Sequence, residues 1–215
     1  RLLVNPESSF SFTFDAYVSR GGYKLEHALD QFALDVQDLV MLDAGASTGG
    51  FTDCLLKRGA RLVHSVDVGY NQLDWRLRTN DQVIVHEKQN IMTLESLDPA
   101  CDAAVCDLSF RSIAGAASHI LSLCKDGWLV SLIKPQFEVP KGMTNFNGVV
   151  QDRTILIQVM RKVYDLLAED GVGMHQLAMS PITGHKGNSE FLALLKMEPG
   201  LSKDQMTEQV ENLVS

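Results

Sequence analysis

No run of about 18 or more apolar residues occurs in the chain, so no segment has the length and composition of a membrane span. The amino terminus also lacks the basic, then apolar, then small-residue pattern of a secretory signal. Cysteine is sparse. Cys54, Cys101, Cys106 and Cys124 show no C-x-x-C spacing and no accompanying histidine cluster, which argues against a structural zinc site, and no metal is expected. Reduced, mostly buried thiols are the simpler expectation, and they suit a cytoplasmic location. Cations are also in deficit: 19 Lys and Arg stand against 27 Asp and Glu, a net charge of −8. Broad phosphate-backbone binding needs clustered cations, so this balance argues against it while leaving room for a local basic cleft. Internal repeats and low-complexity tracts are missing. What remains is a chain of 215 residues, 45% hydrophobic and 21% charged, enough for one ordinary domain with a sizeable core.

The organising stretch is Met41-Leu42-Asp43-Ala44-Gly45-Ala46-Ser47-Thr48-Gly49-Gly50-Phe51, an apolar strand that runs into a glycine-rich turn and then a helix. Free N–H groups at a helix start, and glycines without side chains, let a ligand approach the main chain there. From Val40 onward strand-like runs alternate with helical patterns: 40–42, 62–66, 83–85, 103–106 and 128–133, with helices near 50–58, 72–78 and 112–123. Such alternation predicts an α/β fold, a parallel sheet with helices on both faces. After a polar loop at 136–149, Ile155, Val159, Val163 and Leu167 recur every four residues until Gly171 ends the helix. Runs 172–178 and 191–195 read as a hairpin, and Ser202-Lys203-Asp204-Gln205 as a capping box opening a last amphipathic helix. Ahead of all this, Phe10, Phe12 and Phe14 alternate with polar residues, and residues 1–18 are expected to be a leader or linker. The first helix follows Gly21-Gly22, with Leu25, Ala28, Leu29 and Phe32 on one face. Lys24 lies in its first turn, where a cation is unfavourable for the helix dipole unless something holds it.

The glycine turn admits three chemistries. As a dinucleotide fingerprint it is imperfect, because Ser47 replaces the second glycine. As Gly45-x-Ser47-x-Gly49 it matches a hydrolase nucleophile elbow, although little sheet precedes it to build an oxyanion loop. As an S-adenosylmethionine turn it needs an acid at the end of the next strand, where Asp67 stands. Lys24, Asp107, Lys134 and Glu190 also fall at element ends on the side where open α/β sheets bind ligands. Singly each reads as a solvated terminus; together in one cleft they would tune one another.

Six ordered blocks carry a resemblance. Tyr17 to Leu25 (YVSRGGYKL), Asp43 to Asp53 (DAGASTGGFTD), Val66 to Leu73 (VDVGYNQL), Asp107 to Phe110 (DLSF), Leu132 to Glu138 (LIKPQFE) and Gly187 to Phe191 (GNSEF) together resemble the TlyA, or hemolysin A, family of FtsJ-like RNA 2'-O-ribose methyltransferases. That resemblance implies a Rossmann-like class I methyltransferase domain over residues 19–215, with a seven-stranded, mostly parallel sheet whose last strand is antiparallel. It implies S-adenosyl-L-methionine as cofactor and methylation of ribosomal RNA, typically at cytidine. Its catalytic set falls on Lys24, Asp107, Lys134 and Glu190. Its cofactor contacts fall on Gly45, Ala46, Ser47, Gly49, Gly50, Phe51, Asp67 and Asn90. Family members commonly carry an N-terminal S4 RNA-binding domain, which the resemblance leads one to expect upstream of the residues given, whose first, Arg1, is not methionine. Two other classes stay open: a serine hydrolase at Ser47 and, from the family's hemolysin label, a membrane-active protein, for which no strongly basic amphipathic helix is present.

Overall fold

A computed structural model of the chain describes residues 16–109, 112–125, 127–139, 148–150 and 152–215. The alternating phenylalanines at 10, 12 and 14, Phe110, and most of the polar loop lie outside the described residues. Seven strands, β1 (Val40–Ala44), β2 (Leu62–Val66), β3 (Val83–His86), β4 (Ala103–Cys106), β5 (Leu129–Ile133), β6 (Gly173–Met179) and β7 (Phe191–Lys196), form one sheet in the order β3-β2-β1-β4-β5-β7-β6. Strands β1 to β5 pair in parallel, and β7 runs antiparallel to both β5 and β6. The expected hairpin and the antiparallel last strand are both present. The helices are α1 (Gly21–Gln31), α2 (Gly50–Lys57), α3 (Trp75–Arg78), α4 (Ala117–Ser122), α5 (Pro135–Glu138), α6 (Arg153–Glu169) and α7 (Lys203–Leu213).

Both faces of the sheet are covered, and every residue of β1, β4 and β5 is buried, which is why these strands read as unbroken apolar runs. The pleat sends Met41, Val63, Val105 and Val130 to one side, where α1 and α2 pack. Val40, Leu42, Ala104 and Leu129 point to the other, against α4, α6 and α7. The start of α1 shows which effect wins. The residue before it, Arg20, makes no side-chain cap, Ser19 Oγ accepting only the Gly21 N–H at 3.3 Å, and Lys24 sits in its first turn, costs of up to about 1 kcal/mol and a few tenths respectively. Leu25 and Leu29, buried at 0% and 1% exposure, each contribute about 1.5–3 kcal/mol and outweigh both.

Where the elements differ from expectation, local hydrogen bonds explain it. Helix α3 starts only at Trp75, because the Asp74 carboxylate accepts from the Arg76 N–H and fixes the cap there. Helix α4 starts at Ala117, not Ser112. The Ile113 N–H is taken by Glu138 Oε1 at 3.1 Å and the Ala114 N–H by Ser112 Oγ at 3.3 Å, so the preceding turn is held as a loop. At the start of the expected polar loop, residues 136–138 belong instead to the short α5, which Pro135 opens from a position where a missing N–H costs nothing. Tyr17 and Val18 pack onto the domain: Tyr17 is buried against Tyr23 and donates to Glu26, while the Val18 N–H donates to Asp53 Oδ2 at 2.9 Å.

The capping box at Ser202 is complete, with the Gln205 N–H donating to Ser202 Oγ at 3.2 Å and the Ser202 N–H to Gln205 Oε1 at 2.8 Å. Ser202→Ala is expected to cost about 1 kcal/mol, read as a lower midpoint in urea denaturation with unchanged slope.

Candidate active site

The site is built around Gly45. Its N–H donates to the Val66 carbonyl at 2.8 Å and the Ala46 N–H to the same oxygen at 3.1 Å, while the Asp107 N–H donates to the Ala44 carbonyl at 3.0 Å. The ends of β2, β1 and β4 are thus tied together where the strand order reverses, the place at which open α/β sheets bind ligands. Gly45 has φ +87°, and a β-carbon there would lie 2.7 Å from the Asp107 carbonyl oxygen. Gly49, with φ +96°, caps α2 beneath Leu77, whose Cδ1 would meet a β-carbon at 2.3 Å. Neither position accepts a larger residue without strain.

Two clefts flank this turn. The larger, about 470 Å³, is lined by Gly45, Ser47, Asp67, Asn90 and Asp107, with Val66, Val68, Ile91 and Leu108 as apolar walls. In it Asp67 Oδ2 accepts from the Ser47 N–H at 2.8 Å and Oδ1 from the Gly69 N–H at 2.6 Å, so its carboxylate is fixed at the end of β2. Asn90 turns its side-chain oxygen onto the Met92 N–H at 3.0 Å, capping a single 3₁₀ turn over 91–93. The smaller cleft, about 240 Å³, shares Gly45, Ser47 and Asp107 and adds Lys24, Ala46, Gly50, Phe51, Ser19 and Arg20. The eight expected cofactor residues therefore divide. Gly45, Ser47, Asp67 and Asn90 line the larger cleft, Ala46, Gly50 and Phe51 the smaller, and Gly49 lines neither.

The four charged residues form two ion pairs. Lys24 Nζ meets Glu190 Oε2 at 2.5 Å across 166 positions of sequence, with side chains 11% and 3% exposed. Lys134, at the end of β5, meets Asp107 Oδ1 at 2.5 Å and donates to Ser109 Oγ at 3.1 Å. Lys24 and Asp107 face the same small cleft. Taking ion pairs out of water is expensive and rarely raises stability, so two of them beside one glycine turn point to chemistry.

A third polar group is buried beneath them. Asp43 is fully buried in β1, and its Oδ2 accepts from Thr52 Oγ1 at 2.7 Å, which itself lies 2.7 Å from Ser65 Oγ. Asp43 Oδ1 is buried with no hydrogen-bond partner among the described residues. Burial, and secondarily the Asp107 charge, push the Asp43 carboxyl up to about 7 against the opposing Thr52 hydrogen bond. Sequence reasoning gave this residue no role, although an acid inside a wholly apolar strand was a visible signal. Two further anchors carry no such signal. Glu138, its carboxyl raised by burial, holds the loop before α4. Asn188 accepts from the Val150 N–H at 2.9 Å and donates to the Gly148 carbonyl at 3.0 Å, fastening the return of the polar loop two residues before Glu190. Among the described residues no histidine lines either cleft.

A sheet of this order, with a glycine turn and a strand-end acid at its switch point, defines a nucleoside-cofactor domain of the methyltransferase class. Residues 17–197 match the family described as FtsJ-like methyltransferase, and the chain belongs to that family, in the group that includes TlyA and hemolysin A. It is 41% identical over 180 residues to YqxC of Bacillus subtilis, covering 82% of this chain and 64% of that protein, so it spans somewhat less than two thirds of this relative. It is 39% identical over 211 residues to the 16S/23S rRNA (cytidine-2'-O)-methyltransferase TlyA of Mycobacterium tuberculosis, covering 93% of this chain and 76% of TlyA. The solved structure of a candidate hemolysin from Streptococcus thermophilus superposes with a TM-score of 0.86 at 39% identity, over 95% of this chain and 75% of that one.

Asp43 provides a pH test. An unfolded chain releases this proton near the ordinary value of 3.8, whereas the folded chain holds it to about 7. The native state binds more protons in that window, so Asp43 lowers stability as pH rises through it and its effect is constant above. Asp43→Asn is neutral throughout. Its unfolding free energy relative to wild type is expected to grow between about pH 4 and 7 by up to about 1.4 kcal/mol per unit and then level off, as read by denaturant titration.

Proposed function

We propose that this chain transfers the methyl group of S-adenosylmethionine to the 2'-hydroxyl of a ribose in ribosomal RNA, at cytidine. The observation that carries the proposal is the pair of lysine–carboxylate contacts, Lys24 with Glu190 and Lys134 with Asp107, set at the rim of a glycine turn whose other side is an acid-ended cleft. The name of the M. tuberculosis relative, a 16S/23S rRNA (cytidine-2'-O)-methyltransferase, supports the substrate assignment.

The residues present fit the cofactor. Gly45, without a side chain, lines both clefts with bare main chain, and Asp43 Oδ1, which has no hydrogen-bond partner among the described residues, is a buried acceptor beneath the same turn. Asp67 keeps lone pairs beyond those given to the Ser47 and Gly69 N–H groups, enough to accept two ribose hydroxyls. Val66, Val68, Ile91 and Leu108 offer apolar walls for a purine. When bound, S-adenosylmethionine supplies an electrophilic methyl on a sulfonium. Displacement at that methyl is in line, so the protein's task is alignment and handling of one hydroxyl proton. Lys134 would hold and polarise the ribose hydroxyl, kept in place by Asp107 and Ser109. Lys24, kept by Glu190, would supply the second cation on the acceptor side.

Targeting would come from an upstream S4-type RNA-binding domain, since a net charge of −8 gives this chain little general affinity for RNA. A ribosomal substrate would place the protein in the cytoplasm. Against the hydrolase reading, no histidine among the described residues lines a cleft with Ser47, whose own N–H is committed to Asp67. Among the described residues no helix is long and apolar enough to cross a membrane.

Two variants separate binding from transfer. Lys134→Ala is expected to lower methyl transfer to ribosomal subunits by about 10²- to 10⁴-fold while leaving cofactor affinity, measured by calorimetry, within a few-fold. Asp67→Ala should do the reverse first, weakening cofactor binding by roughly 10- to 100-fold. Undiminished transfer by the Lys134 variant would sink the assignment.

A further inference from the structure

At the opposite end of the sheet from Asp107, two thiols lie side by side. Cys101 precedes β4 and Cys124 follows α4, and their Sγ atoms are 2.9 Å apart. The two residues form an isolated parallel β-bridge, and the Lys125 N–H donates to the Cys101 carbonyl at 3.0 Å. Bridged backbones of this kind sit about 4.7–4.9 Å apart, inside the roughly 4.4–6.8 Å window of Cα separations that a disulfide spans. Closing the sulfurs to a bond of about 2.05 Å therefore asks for a further approach of less than about 1 Å, with the backbone already in position. The partners are unequal in access. Cys101 is fully buried, its S–H donating to the Leu123 carbonyl at 3.0 Å, whereas Cys124 is half-buried and opens onto a cleft of about 380 Å³ bordered by Gly127, Lys196, Met197 and Glu198.

We propose that Cys101 and Cys124 are an oxidisable dithiol that accepts low-molecular-weight disulfides through the cleft at Cys124 and closes to an internal disulfide. The Cys124 thiolate attacks one sulfur of the reagent, forming a mixed disulfide and expelling one thiolate. Cys101 then attacks the Cys124 sulfur and expels the second. Both cysteine protons end on the two released thiols, and the two electrons go to the reagent. Across the 2.9 Å contact the two sulfurs hold one proton between them, which eases the first ionisation of the pair and opposes the second; with that proton on Cys101, the thiolate lies on Cys124, the sulfur open to the reagent. Cys54 and Cys106, also fully buried, have no cysteine beside them among the contacts of the described residues, and burial raises both thiols to about 12.

The test uses the full chain, folded and reduced, incubated with oxidised glutathione and then alkylated. Trypsin cuts between the two cysteines at Arg111, so a disulfide joins peptide 89–111 to 112–125, and fragmentation between Cys101 and Cys106, which share the first peptide, places the link in mass spectrometry. The expected result is a wild-type chain lighter by two hydrogens, with the Cys101 and Cys124 peptides linked and dithiothreitol reversing the link. Cys101→Ser should instead retain one glutathione on Cys124, and Cys124→Ser should take up none. Wild-type protein that carries glutathione on Cys124 without the internal link overturns the proposal, as does protein that does not react at all. Modification of Cys54 or Cys106 in parallel with Cys124 also overturns it, because the sulfurs would then have been reached by unfolding. The readout is covalent, so it is independent of methyl transfer.

Discussion

The fold turns on the passage of the chain between two strand ends at Gly45. One carbonyl, that of Val66, accepts from both Gly45 and Ala46, and the Asp107 N–H donates to Ala44 beside it. With the Asp107 carbonyl so close that a β-carbon would stand 2.7 Å away, the main chain itself is the wall between the two clefts. Everything chemical hangs from these ties. They put Ser47 over Asp67 on one side, and on the other they bring Asp107 to Lys134 and to the cleft that Lys24 also lines.

The electrostatics follow from that placement. A chain with an excess of acids nevertheless brings one lysine, Lys24, into the smaller cleft and a second, Lys134, onto Asp107 of its lining, each neutralised by a carboxylate from a different element. The Lys24–Glu190 contact also resolves an anomaly within α1. A cation in a first helical turn opposes the macrodipole, and here a nearly buried carboxylate from the end of the sheet holds it. The helix start is thus adapted to the site at some cost to the helix. Asp43 is a second such concession, a carboxylic acid in a strand that packing alone would fill with an aliphatic side chain, bound to Thr52 on α2 and with one oxygen unpartnered among the described residues.

Loop anchoring is the less visible layer. Glu138 captures Ile113, Asn188 captures Val150 and Gly148, and Lys162 on α6 donates to the Glu138 carbonyl at 3.3 Å. These bonds bring the segments after β4, after β5 and before β7 to the same end of the sheet, where the charged pairs lie. The dithiol at the far end is mechanically separate, since β4 lies between Cys101 and Asp107.

The sequence by itself determined the alternation of strands and helices, the closing hairpin, the capped last helix, the glycine turn and its strand-end acid, because each is written in periodicity or in residue chemistry within a few positions. The resemblance named the four charged residues as a set. Helix starts at 75 and 117 were not legible, because Asp74, Ser112 and the distant Glu138 decide them through hydrogen bonds that compete with helix formation. Nor could local pattern say that Lys24 pairs with Glu190 and Lys134 with Asp107, that the cofactor residues divide between two clefts, or that Cys101 and Cys124 adjoin. Pairings across tens or hundreds of positions depend on which strand ends the sheet order brings together, and that order exists only once the two faces have buried their cores.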